Sequence, residues 1–266
     1  MLRWATAGAV LGGAVALVAF APAAWLAAVV SDATDERVVL GDARGTIWQG
    51  SAVVVLTGGA GSRSASALPG RLQWTLGLAG TALALGVRHD CCINGELRLR
   101  IAPSPGRLRV ELLPGADVAR PLGQWPASWL VGLGTPWNTL QPSGSLQLTS
   151  PGLVVEQVQG RWLFSGQAQL EMGGIASRMS SLDVLGSYRL LLIGDAASGS
   201  GPQVQLNTIN GALRLSGSGQ WSGLGAASKL HFNGLASAAP GSEAALGGLL
   251  NIIGRRQDAS SVISIG

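Results

Sequence analysis

Lysine is all but missing from this chain: Lys229 stands alone beside 17 arginines. Those arginines are spread out, with no run longer than Arg255-Arg256. Nucleic-acid recognition asks for clustered cations interleaved with aromatics, so the net charge of +4 does not point to it. Histidine is nearly as scarce. His89 and His231 leave little material for a nucleophilic triad or a histidine metal cluster. No G-x-S-x-G, G-x-G-x-x-G, Walker A or H-E-x-x-H pattern occurs, and the 14 acidic residues show no spacing that pairs two carboxylates. The expectation is a protein that is not an enzyme, with no cofactor and no metal. Cysteine is limited to the adjacent pair Cys91-Cys92, which excludes C-x-x-C redox and zinc spacings. Neighbouring Cα atoms lie about 3.8 Å apart, below the usual disulfide range. A vicinal bridge, an intermolecular bond and two buried thiols all stay open. His89 and Asp90 beside them make only a weak metal candidate.

Charge is absent altogether from Trp4 to Ser31. A bilayer core of about 30 Å takes roughly 20 helical residues. Trp4 and Trp25 are about 31 Å apart along a helix and would sit at the two interfaces, where Trp is favoured. A cleaved signal peptide competes with this reading, because Ala19-Phe20-Ala21 has the small-x-small form. Pro22 is a poor residue after such a cut, and the apolar run continues through Trp25-Leu26. A retained transmembrane anchor over 1–31 is therefore expected, kinked at Pro22. Gly8 and Gly12 form a small-x-x-x-small pair that would admit another helix. Arg3 lies on one side, Arg37 and Arg44 on the other, so charge alone leaves the orientation open.

What is abundant beyond the anchor is strand signal. Apolar residues make up 47% of the chain, ample for a core, and 40 glycines supply turns. Ser31 to Glu36 reads as a linker, and Val38-Val39-Leu40-Gly41 opens the folded part. A turn at 47–50 precedes a strand over 51–56, and 57–67 reads as a hairpin loop. Leu72, Trp74 and Leu76 alternate with polar neighbours, the mark of a half-exposed strand; 81–87 is the next. Leu97, Leu99 and Ile101 alternate with Arg98 and Arg100, as Leu108 and Val110 do with Arg107, Arg109 and Glu111. Pro103 to Gly106 makes these a hairpin with one apolar and one arginine-bearing, solvated face. A short helix is expected to begin near Pro126 and to bury Trp129 and Leu130. Later strands are expected at 145–149, 153–159, 161–171, 187–193, 203–208, 211–217 and 229–234. Turns are expected at Pro151-Gly152, 196–202 and Asn210-Gly211. A helix capped by Ser242 presents Leu246, Leu249, Leu250 and Ile253 on one face. Gly254 suits its C′ position and Arg255-Arg256 its C-terminus, and 261–265 forms a last edge strand. The fold class is thus mainly β: one transmembrane helix (1–31), then a mostly antiparallel, curved sheet domain (32–266) with one or two short helices. That domain divides into candidate halves 38–131 and 145–266 about a connector at 132–144.

The connector carries Pro136-Trp137-Asn138-Thr139-Leu140-Gln141-Pro142-Ser143-Gly144, which resembles the central motif of the type II secretion system protein N family. Gly45-Thr46-Ile47-Trp48-Gln49-Gly50-Ser51-Ala52 and Leu68-Pro69-Gly70-Arg71-Leu72-Gln73-Trp74 are similar to that family too. So is Leu249-Leu250-Asn251-Ile252-Ile253-Gly254-Arg255-Arg256, and the four stretches stand in the family's order. The resemblance implies an accessory inner-membrane component of type II secretion, with a short cytoplasmic start and the bulk of the chain in the Gram-negative periplasm. Implied partners are the inner-membrane platform and the outer-membrane secretin. The candidate contact residues are Trp137, Asn138 and Gln141, then Trp48, Arg255 and Arg256. In the oxidising periplasm a Cys91–Cys92 bridge is conceivable. The family is also similar to the AsmA-like envelope proteins, which gives an alternative: an apolar β groove that binds or conducts lipid.

Overall fold

Residues alternating in polarity at period two put one apolar row on one face of each strand. A computed structural model, describing residues 2–115, 120–158, 161–195, 201–222 and 229–266, arranges those rows into a single open sheet. Its strands are β1 (Val38–Gly45), β2 (Gln49–Thr57), β3 (Ala65–Ala67), β4 (Leu72–Ala79), β5 (Ala82–His89), β6 (Leu97–Ser104), β7 (Arg107–Leu112) and β8 (Gly123–Pro126). After the connector come β9 (Pro142–Val158), β10 (Arg161–Ser177), β11 (Gly186–Gly194), β12 (Gln203–Gly211), β13 (Leu213–Ser222), β14 (Lys229–Ala238), β15 (Arg255–Gln257) and β16 (Ser260–Ile265). The order is β1-β2-β4-β5-β6-β7-β9-β10-β11-β12-β13-β14-β16-β15, with β3 added to β2 and β8 to β9. Each described pair is antiparallel. Because β7 pairs directly with β9, the sheet runs unbroken past the connector.

The register aligns the apolar rows from strand to strand. Leu85 pairs with Leu99, Leu99 with Leu112 and Leu112 with Leu153. Ile101, Val110, Val155 and Phe164 form the next row, and Leu170, Leu190 and Leu206 continue the face into the second half. The chain covers this face near both ends. Helix α2 (Ala23–Ala33) lays Ala23, Leu26, Ala27 and Val30 on Leu40, Val54 and Trp74. At the far end, α4 (Glu243–Ile253) buries Leu246, Leu249 and Leu250 against Tyr188, Leu213 and Ala236. Burying three leucines contributes roughly 2 kcal/mol each, which holds α4 on the sheet.

Several expectations need correction. The stretches 145–149 and 153–159 are one strand; residue 159 itself lies outside the described residues. Pro151-Gly152 is a β-bulge, not a turn: Gln167 and Gln169 pair with Gly152 and Thr149, leaving Ser150 and Pro151 opposite one residue. The Ser150 hydroxyl donates to Gln167 O at 2.6 Å and accepts from Gly152 N at 3.1 Å, which fastens the bulge. The helix expected from Pro126 is a 3-10 helix over Ala127–Leu133, with Pro126 just before it. Ser242 precedes α4, but its side chain makes no capping bond. Gly254 is extended rather than left-handed (φ −165°). A Cβ there would stand 2.4 Å from Val262 O, so the need for glycine is close approach. Arg255 and Arg256 belong to β15 instead of neutralising the helix end, and β15 takes the outer edge expected of β16. Most of the expected 196–202 turn lies outside the described residues.

At the amino end the chain forms two helices, α1 (Leu2–Ala19) and α2, separated by Phe20 to Pro22. Among the described residues no helix is long and apolar enough to cross a membrane. Pro22 stands just before α2 and pairs with Thr46; Ile47 N donates to Ala21 O at 2.9 Å. The break is thereby tied to the β1–β2 turn, and Trp25 falls on the helix that packs on the sheet.

Candidate partner surface

Leaving β8, the chain crosses from β9 back to β2 and β3 and then returns to enter β9. Two glycines allow this strap to lie against neighbouring backbone. A Cβ on Gly123 would stand 2.5 Å from Cys92 O, and one on Gly132 would stand 2.4 Å from Leu56 O and 2.8 Å from Ser66 N. Ala127 is fully buried. Trp129 packs beside the first core, its indole N–H donating to Ser66 O at 3.1 Å. The Thr135–Pro136 peptide is cis.

One turn of helix, α3 (Trp137–Leu140), follows, with Leu140 N bonded to Pro136 O and Gln141 N to Trp137 O. Gln141 then takes a left-handed conformation (φ 43°) and turns the chain into β9 at Pro142. Asn138 reaches Ser64 Oγ at 3.5 Å, at the outer limit of a hydrogen bond. Leu140 packs beside the second core, and its carbonyl accepts from Ser177 Oγ at 2.5 Å. The strap is thus fixed to both cores. It shows solvent the exposed Thr139 and Gln141, with Trp137 and Asn138 half-buried beside them.

The other candidates lie elsewhere. Trp48 sits in the β1–β2 turn, its indole N–H donating to Val18 O at 2.8 Å, so it is engaged by the chain's own first helix. Arg255 and Arg256 are exposed on β15, at the opposite end of the sheet. Gly8 and Gly12 leave open space around their Cα atoms. Trp137, Asn138 and Gln141 are therefore the candidates that the fold brings together.

Polar clusters occur away from the strap. Glu156 is buried between Arg107 and Arg109, at 2.5 and 2.7 Å. The Arg107 hydrogen bond chiefly holds its carboxyl below the usual range, against a desolvation that opposes it. Alternation over 107–111 predicts only a solvated face, because the partner Glu156 comes from a strand far along the chain. Asp42, gripped by Arg44 and Arg71 at 2.7 Å each, is held low by the same kind of bond. Cys91 and Cys92 are joined as a disulfide, and His89 Nδ1 lies 3.3 Å from Cys91 Sγ. Burial pushes the His89 imidazole below its ordinary value, against the pull of Asp90. His89, Cys91 and Cys92 cluster closely enough to hold a metal, but sulfurs bonded to each other are not thiolate ligands.

An open antiparallel meander, covered by a helix near each end and crossed by a surface strap, is the architecture of a β scaffold. The chain matches the type II secretion system (T2SS) protein N family over residues 36–266 and belongs to that family. The match takes in the sheet and the strap, and leaves α1 and α2 outside. No curated protein and no solved structure matches the chain. Membership supports an accessory role in type II secretion and implies interaction with other components of that system.

Proposed function

We propose that this chain is an accessory inner-membrane component of type II secretion, held by its N-terminal segment with its sheet in the periplasm. It contacts the inner-membrane platform or the secretin and performs no chemistry itself. The observation that carries the contact is the strap. The residues with the family's central motif sit at the surface between the two cores, and Trp137 and Gln141 are fixed by backbone bonds at either end of α3. A half-buried Trp on a rigid support can anchor a partner at little entropic cost. For the membrane, the support is an uncharged run from Trp4 to Ser31, together with α1 residues such as Leu11 and Val15 that the rest of the chain leaves exposed. A helix apolar all round calls for an apolar surround.

Trp137→Ala tests the contact. Co-purification of platform or secretin proteins should fall at least tenfold while the melting temperature shifts little. A variant that unfolds, or one that keeps its partners, removes Trp137 from the surface. A second reading, lipid held along the apolar face, is favoured by one feature. Leu99, Ile101, Val110, Val155 and Phe164 are half-buried, in contrast to the fully buried leucines beneath α4.

A further inference from the structure

Three separate pieces of chain meet at the carboxyl end of α1. Trp48 holds the carbonyl of Val18. The β4–β5 hairpin brings Leu78 and Gly77 alongside, so that Ala14, Val15, Val18, Ala19, Trp48 and Leu78 line one apolar cleft. Helix α2 leaves from the same end. Much of this junction's apolar surface is uncovered: Leu78 is 79% exposed and Phe20 77%, and Trp25 and Val29 face outward from α2. The hairpin has no charged residue between Arg71 and Arg88. Farther from its tip the chemistry changes. Arg100 pairs with Ala84, two residues from the turn, and Arg98 with Gly86, and both side chains are exposed.

We propose that the β4–β5 hairpin and the outer face of α2 dock on the outer leaflet of the inner membrane, an anionic phospholipid surface. The proposal rests on the reading of α1 as the membrane segment, and the cleft then sets the depth of the hairpin. Leu78 shares that cleft with Ala14 and Val15, about 6 Å back from the end of α1 at roughly 1.5 Å per residue. Whatever touches that turn of the helix shares its depth. Interfacial elements bury their apolar faces about 5–10 Å into the headgroup boundary, which matches the position of Leu78. Eighteen residues give about 27 Å of helix, shorter than a hydrocarbon core of about 30 Å. A short span draws its flanks into the interface, and Trp48 is suited to that layer. Arg98 and Arg100 stand about 7–14 Å up the strand from the turn, at the height where lipid phosphates lie.

The test uses the full chain reconstituted in vesicles of phosphatidylethanolamine and phosphatidylglycerol, with a polarity-sensitive fluorophore on single introduced cysteines. Leu78→Cys reports the hairpin, Leu11→Cys the helix, and Ser218→Cys, exposed on β13, serves as the water reference. The Leu78 probe should be blue-shifted and quenched by lipid-borne quenchers, more by shallow than by deep ones, with Ser218 unaffected. A Leu78 probe that behaves like Ser218 while Leu11 reports lipid overturns the docking and leaves the anchor standing. Should Leu11 also report water, the anchor reading falls and the docking falls with it.

Discussion

Glu156 shows what a single side chain contributes here. Its carboxylate accepts from two arginines on the polar face of the sheet, and its pKa is depressed, first of all by Arg107. A group with a lowered folded pKa adds stability above its unfolded value and loses it as pH falls through the folded one. The contribution is present at neutral pH and disappears below the ordinary Glu value of about 4.3. Glu156→Gln should therefore cost about 1 kcal/mol at pH 7, with the gap to wild type closing as urea melts are taken below pH 4. A gap that does not change with pH would show that the ion pair contributes nothing. The sequence displayed Arg107, Arg109 and Glu156 but not their meeting. That depends on the β7–β9 pairing, which joins positions 47 and 49 residues apart.

At the level of elements, glycines of opposite meaning make a paired test. Gly132 lets the strap touch β2, and a Cβ there meets backbone at 2.4 Å that cannot move aside. Gly132→Ala should destabilise by about 1–3 kcal/mol. Gly247, inside α4, has nothing within 4 Å of a built Cβ. There Gly247→Ala should stabilise by up to about 1 kcal/mol through helix propensity. Thermal melts of the two variants should move in opposite directions; a shift of the same sign in both would contradict this account of the strap. Periodicity disclosed most elements, including α4, whose leucines at i, i+3 and i+4 are the buried ones. It misread those whose form depends on a neighbour. Pro151-Gly152 carries the local signature of a turn, and only pairing with Gln167 and Gln169 makes it a bulge. Arg255 and Arg256 look like a helix terminus until β16 is beside them.

For the whole molecule, the antiparallel class was written in alternation and turn chemistry, which act locally. The crossing of residues 127–133 from β9 to β2 was not, because it joins strands that lie far apart along the chain. The candidate residues do not all share one place. The motif pointed to Trp137, Asn138 and Gln141, while Trp48 and Arg255-Arg256 proved to lie at other places on the sheet. We propose that the strap is where this chain meets the secretion machinery. In-cell photocrosslinking from position 137, with a second probe at the exposed Gln141 and adducts identified by mass spectrometry, addresses it most directly. Adducts to the secretin or to platform proteins are expected. Phospholipid adducts, with no secretion protein among them, would contradict it and favour a lipid-holding sheet.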